Sequence, residues 1–70
     1  MEAAIQAYDD AIKNNPNNSV HYFNRGNVHL NQSNFEWAIE DFENALERDS
    51  SNPKFYHAKG LTFQTAADKE

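Results

Sequence analysis

The residues of this chain able to do chemistry are its three histidines and its Asp and Glu residues, 11 in all. Zinc needs donors converging on one point, commonly histidines about three to five residues apart on one helix. His21, His29 and His57 are not spaced that way, so they read as surface or half-buried side chains rather than ligands. Asp9-Asp10 and Asp41-Phe42-Glu43 bring carboxylates together in sequence. Paired carboxylates do acid–base work only in a cleft that shifts their pKa values. The rest of the chain reads as a thin stack of helices without such a cleft, so both groups are expected to be solvated helix faces. There is no Gly-rich phosphate loop and no Ser/His/Asp constellation. The expectation is therefore a chain that is not an enzyme and holds neither cofactor nor metal.

Composition narrows the remaining classes. Asp and Glu outnumber Lys and Arg by 11 to 6, for a net charge of −5. A nucleic-acid binder needs a basic stripe to release phosphate counterions, and an anionic membrane attracts basic segments. Neither partner is expected. No apolar run approaches the length of a membrane span, no signal-peptide core follows Met1, and cysteine is absent. An intracellular, cytoplasmic location is the expectation. Asn17-Asn18-Ser19 and Asn31-Gln32-Ser33 are formal glycosylation sequons, but they sit where Asn and Ser are wanted for turns. Seventy residues bury a modest core without a staple, and Met1 opens directly onto a helical pattern, as though the chain began inside a longer protein.

The elements that position these residues are helical. Ala4, Ile5, Tyr8, Ala11 and Ile12 form one stripe of a 3.6-residue helix, and Phe35, Ala38, Ile39, Phe42, Ala45 and Leu46 form another. Asn14-Asn15-Pro16-Asn17-Asn18 and Ser50-Ser51-Asn52-Pro53 read as turns, with Pro53 suited to the first turn of the next helix. Ser33-Asn34-Phe35-Glu36 fits a capping box with Ser33 as N-cap and Glu36 reaching back. Four helices are predicted, over about 2–14, 19–32, 35–48 and 53–67.

Shifted by 34 residues, the chain overlays itself. Ala4, Ile5, Tyr8, Ala11, Ile12 and Asn18 meet Ala38, Ile39, Phe42, Ala45, Leu46 and Asn52, while Tyr22, Arg25 and Gly26 meet Tyr56, Lys59 and Gly60. The shared positions are mostly small and aromatic, as helix packing demands. On these residues the chain resembles the tetratricopeptide repeat family, whose unit is a helix A–turn–helix B hairpin. Residues 19–52 look like one complete unit, with Tyr22, Gly26, Ala38, Phe42 and Ala45 in the matching places. Residues 1–18 resemble a helix B half repeat and residues 53–70 a helix A half repeat. The resemblance implies an all-α fold: antiparallel helical hairpins stacked as a right-handed α-solenoid of four helices. The chain departs from the pattern at Arg25 and Lys59, where leucine is usual, at His29 for tyrosine and at Ser50 for the closing proline. These departures are expected to weaken the packing.

The resemblance also implies a function: a scaffold for protein–protein interaction whose concave groove, lined by helix A, holds a partner's peptide or helix. The groove positions fall on Val20, Phe23, Asn24, Asn27 and Asn31, and on Lys54, His57, Ala58, Leu61 and Gln64. The alternative for these positions is a bare solvated helix face. The acidic surface would favour a partner with basic residues, chiefly through on-rate. Some members of the family grip a chaperone's terminal carboxylate. Asn24 and Lys54 match two positions of that clamp and Asn27 echoes a third, but the clamp needs an arginine at Ala58 and a complete first repeat, so it is not expected here. Trp37, whose repeat-mate is Ala3, is expected to be partly buried against the next repeat's helix; the alternative is an exposed interface anchor. A structural role is the rival function. Each terminal helix lacks its hairpin mate and should expose apolar surface such as Ile5 and Phe63, so the chain either belongs to a longer array or mates with its own kind, head-to-tail or by a swap, as a homo-oligomer. RNA binding, known among similar helical repeats, is disfavoured by the charge.

Overall fold

In the computed structural model, which describes residues 2–69, four helices follow one another: α1 (Glu2–Asn14), α2 (Ser19–Asn31), α3 (Phe35–Arg48) and α4 (Pro53–Lys69). There is no strand among the described residues. The outermost residues of the two expected half repeats, Met1 and Glu70, lie outside the described residues. α1 packs on α2, α2 on α3 and α3 on α4, and α2 also touches α4. The Cα atoms fill a slab of 36 × 30 × 13 Å, too thin for a deep cleft.

The first and third turns repeat one another. The Oδ1 of Asn18 accepts from the Val20 N–H, and the Oδ1 of Asn52 accepts from the Lys54 N–H, each at 3.0 Å. Both give an otherwise orphan helix N–H a partner. The first turn is pinned further: Pro16 O accepts from the Tyr22 hydroxyl at 3.1 Å and from Arg48 Nε at 2.6 Å. The Arg48 guanidinium also lies 4.2 Å from the Tyr22 ring centroid, a cation–π contact.

The middle turn corrects the expected capping box. Ser33 is not an N-cap. Its φ is +63°, in the left-handed region, and it ends α2. The Ser33 N–H donates to Leu30 O and the Asn34 N–H to His29 O, the paired bonds of a Schellman motif. Asn34 is the N-cap of α3; its carbonyl accepts from the Ala38 N–H at 3.0 Å, with no side-chain cap. The same Ser-Asn pair suits either role locally, and the tight reversal between two packed helices decides it.

The core forms where helices come closest. Phe42, Ala38 and Ala45 of α3 are fully buried, with Tyr22, Phe55 and Ala58 around them. A Cβ built on Gly26 would lie 2.6 Å from Phe42 Cε1 and 2.9 Å from Cδ1, so the glycine is what lets the ring lie against the α2 backbone. Phe23 bridges the cluster, its ring 5.8 Å from Phe42 and 5.0 Å from Phe55. The buried Thr62 hydroxyl donates to Ala58 O at 2.8 Å, so it carries no unmet hydrogen bond.

Charge enters this core where leucine was the family's choice. Arg25 donates to Asp41 through Nε (2.8 Å) and Nη2 (2.6 Å), and to Asp9 through Nη1 (2.7 Å), joining α1, α2 and α3. The Asp41 hydrogen bonds, opposed by burial and helped by Asp9, raise the Arg25 guanidinium above its ordinary range. Asp41 is 3% exposed, so its part of the acidic stretch is not the solvated face expected. One repeat on, Lys59 holds Glu43 at 3.2 Å, as Arg25 holds Asp9. The two departures from leucine therefore join neighbouring helices through ion pairs. His29, also buried, is not a surface side chain: its Nε2 lies 3.6 Å from Asp41 Oδ2, too long for a hydrogen bond, and its Nδ1 has no partner among the described residues.

Five substitutions test this packing, each readable by urea or thermal unfolding. Gly26→Ala costs about 1–2 kcal/mol, because overpacking of about 1–3 kcal/mol outweighs a helix gain of about 1 kcal/mol; Gly60→Ala, with nothing within 4 Å of the new Cβ, stabilises by about 0.5–1 kcal/mol. Ser33→Gly stabilises by roughly 0.5–1 kcal/mol, by removing a Cβ from the left-handed region. Arg25→Ala strands a buried carboxylate and costs about 3 kcal/mol, whereas Asp9→Ala, at an exposed partner, costs under about 1 kcal/mol.

Candidate functional site

Where α2 and α4 meet, their neighbouring faces leave an open groove of about 390 Å³. Phe23, Asn27 and Leu30 line it from α2; Pro53, Lys54, His57, Ala58 and Leu61 line it from α4. Its floor is rigid for identifiable reasons. Phe23 is fixed between two other rings, and Ala58 packs with Ala38 and Phe42. Leu61 is exposed at the wall, as are Lys54 and His57. The groove thus offers apolar area bordered by an ammonium, an imidazole and the Asn27 amide, which makes no hydrogen bond among the described residues. Such a surface can pack aliphatic side chains and hydrogen-bond an extended backbone.

The groove brings together Phe23, Asn27, Lys54, His57, Ala58 and Leu61 from the expected positions. Val20 and Asn31 lie exposed toward the two ends of α2, outside the groove lining. Asn24 is half-buried, also outside it, and Gln64 is exposed beyond Leu61. Leu30 and Pro53 belong to the groove and escaped the sequence reading. Leu30 follows Phe23 by two helical turns, so its spacing could have found it; Pro53 lies one turn before His57. Ala58 stands where a carboxylate clamp would need arginine, and it is buried at the base of the groove.

Trp37 lies elsewhere. It is 59% exposed, and its ring lies T-shaped against the His29 ring of α2, centroids 5.4 Å apart, instead of against the helix of the next repeat. With Ile5, Gln6, Asp9, Asp10, His29 and Gln32 it borders a shallow depression of about 490 Å³. Among the described residues no three His, Cys, Asp or Glu side chains could hold a metal ion, and no helix is long and apolar enough to cross a membrane.

Comparison with known proteins agrees with the helical-repeat fold. The family described as tetratricopeptide repeat matches residues 20–52. The small glutamine-rich tetratricopeptide repeat-containing protein 2 of Saccharomyces cerevisiae is 36% identical over 60 residues, 86% of this chain and 17% of the relative. Tetratricopeptide repeat protein 6 of Homo sapiens is 41% identical over 59 residues, 84% of this chain and 11% of the relative. The Hsp70-Hsp90 organising protein of Plasmodium falciparum is 33% identical over 47 residues, 67% of this chain and 8% of the relative. The chain therefore spans less than a fifth of the length of each of these relatives. No solved structure gave a significant match. From the internal repeat, the glycine-seated aromatic between the hairpin helices and the match over residues 20–52, the chain belongs to the tetratricopeptide repeat family, whose repeats are non-catalytic modules for protein–protein interaction.

Proposed function

We propose that the α2–α4 groove holds an extended peptide segment of a partner protein, and that the chain acts by this binding alone, with no reaction of its own. The observation that carries this reading is the apolar wall of Phe23, Leu30 and Leu61 with Asn27, Lys54 and His57 at its border. An aliphatic side chain of the peptide packs against Leu61 and Leu30. Asn27 meets its backbone, and Lys54 meets a carbonyl or carboxylate. The grip is mostly packing and neutral hydrogen bonding, because Ala58 supplies no charge where a carboxylate clamp would need one. The net charge of −5 acts at longer range, drawing in partners with basic residues flanking the apolar segment. The name of one relative, Hsp70-Hsp90 organising protein, fits a scaffold role of this general kind.

The test is a titration of isotope-labelled chain with a panel of peptides that pair aliphatic residues with flanking lysines. Binders should shift the amide signals of Asn27, His57 and Leu61 and leave Trp37 emission unchanged, since Trp37 does not line the groove. Leu61→Asp puts a charge on an exposed wall position and should weaken such binders by roughly tenfold or more while the helical signal stays intact. Peptides that bind Leu61→Asp as well as the parent, or a panel in which nothing binds, would remove the groove as the site.

A further inference from the structure

Two helices of this chain carry the same face at the same repeat positions, and only one of the two is covered. On α2 the face is Tyr22, Gly26 and His29, all buried beneath α3. On α4, at the equivalent positions, it is Tyr56, Gly60 and Phe63. Tyr56 is 56% and Phe63 52% exposed, and among the described residues nothing lies within 4 Å of a Cβ built on Gly60. α4 already uses a different side, Phe55, Ala58 and Thr62, for its buried contacts. An open glycine between two exposed aromatics is an unfilled copy of the Gly26 seat.

What fills the seat on α2 is a stripe of α3: Ala38, Asp41, Phe42 and Ala45, with Phe42 over the glycine. The repeat-mates of that stripe are Ala4, Ala7, Tyr8 and Ala11 on α1. α1 meets α2 through other residues, Ile12 in the core and Asp9 on Arg25. Ala7 is exposed, and Ala4, Tyr8 and Ala11 are only half-buried. Three alanines permit a close helix approach, and Tyr8 supplies a ring where Phe42 supplies one. Within one chain this stripe cannot reach α4, because α1 packs on α2 and α4 packs on α3 at the other end of the stack.

We infer that the Tyr56–Gly60–Phe63 face of α4 binds α1 of a second copy of this chain, with Tyr8 seated over Gly60. The two patches differ, so the contact is heterologous: each copy added leaves another α4 face free, and the assembly grows head-to-tail without closing at a pair. The charges are compatible. Where α3 presents Asp41 to Arg25, α1 presents Ala7, and the corresponding Lys59 is already held by Glu43 at 3.2 Å within its own chain. No carboxylate or ammonium has to be buried unpaired, and shape sets the register: an aromatic ring into a glycine gap.

Sedimentation velocity on the 70-residue chain, from micromolar to millimolar concentration, tests this with circular dichroism as the check on folding. The average mass should climb past the dimer. Gly60→Ala should remain folded and should weaken association by roughly tenfold or more, because its methyl occupies the seat. Tyr8→Ala should weaken association as well. A parent chain that is monomeric throughout, a mass that stops at the dimer, or a Gly60→Ala chain that assembles like the parent would each overturn the inference.

Discussion

The approach of Phe42 to the backbone at Gly26 is the constraint on which the other contacts rest. A ring this close to a helix backbone requires that no Cβ intervene, and the geometry leaves less than a carbon–carbon contact distance for one. Where α2 and α3 meet at that spacing, the alanines at 38 and 45 are fully buried between them. Phe23 then has a place between Phe42 and Phe55, which fixes α4 against the hairpin. The groove is what remains between α2 and α4 after these contacts are made. Its shape therefore follows from a packing decision taken on the far side of α2.

The ion-pair network shows how a small core tolerates charge. Arg25 displaces an apolar side chain from the helix interface, a costly exchange unless every charge finds a partner. It does so because three helices contribute: Asp41 takes two of its donors and Asp9 a third. Only Asp41 is deeply buried; Asp9 keeps solvent access and adds little by itself. The consequence for the fold is directional. A bidentate carboxylate fixes the rotation of α3 against α2 in a way that a leucine, free to repack, does not.

What the sequence disclosed and what it concealed divide along the range of the interactions. The helices, the two Asn-rich turns and the position of Pro53 depend on neighbours a few residues away, so the residue types were enough to read them. The 34-residue repeat extended that reach, because it relates packing positions to one another without any knowledge of contacts. Ser33 was misread because a serine followed by an asparagine suits an N-cap and a left-handed helix end alike. The partners of Arg25 lie 16 residues away on either side, too far for local spacing to announce them. Of the groove, most of the α4 wall falls on positions that the family resemblance implied, but Asn24 lies outside the lining and Leu30 inside it. Trp37 was placed against the next repeat's helix, yet its aromatic neighbour proved to be His29 of its own repeat.

The proposed groove and the proposed assembly face lie on different sides of the same helix. His57 and Leu61 line the groove, whereas Tyr56, Gly60 and Phe63 point to the uncovered side. α4 is supported by one neighbouring layer, and beyond Thr62 it has no fully buried side chain among the described residues. A helix held on one side loses conformational freedom when its other side is covered, and that entropy is lost once, by whichever contact forms first. A second copy seated on α4 therefore lowers the ordering cost of a peptide entering the groove, and a peptide in the groove lowers the cost of adding a copy. Linkage makes the two effects equal in free energy. An array built this way would bind its partner more tightly as it grew, although no residue of the groove had changed.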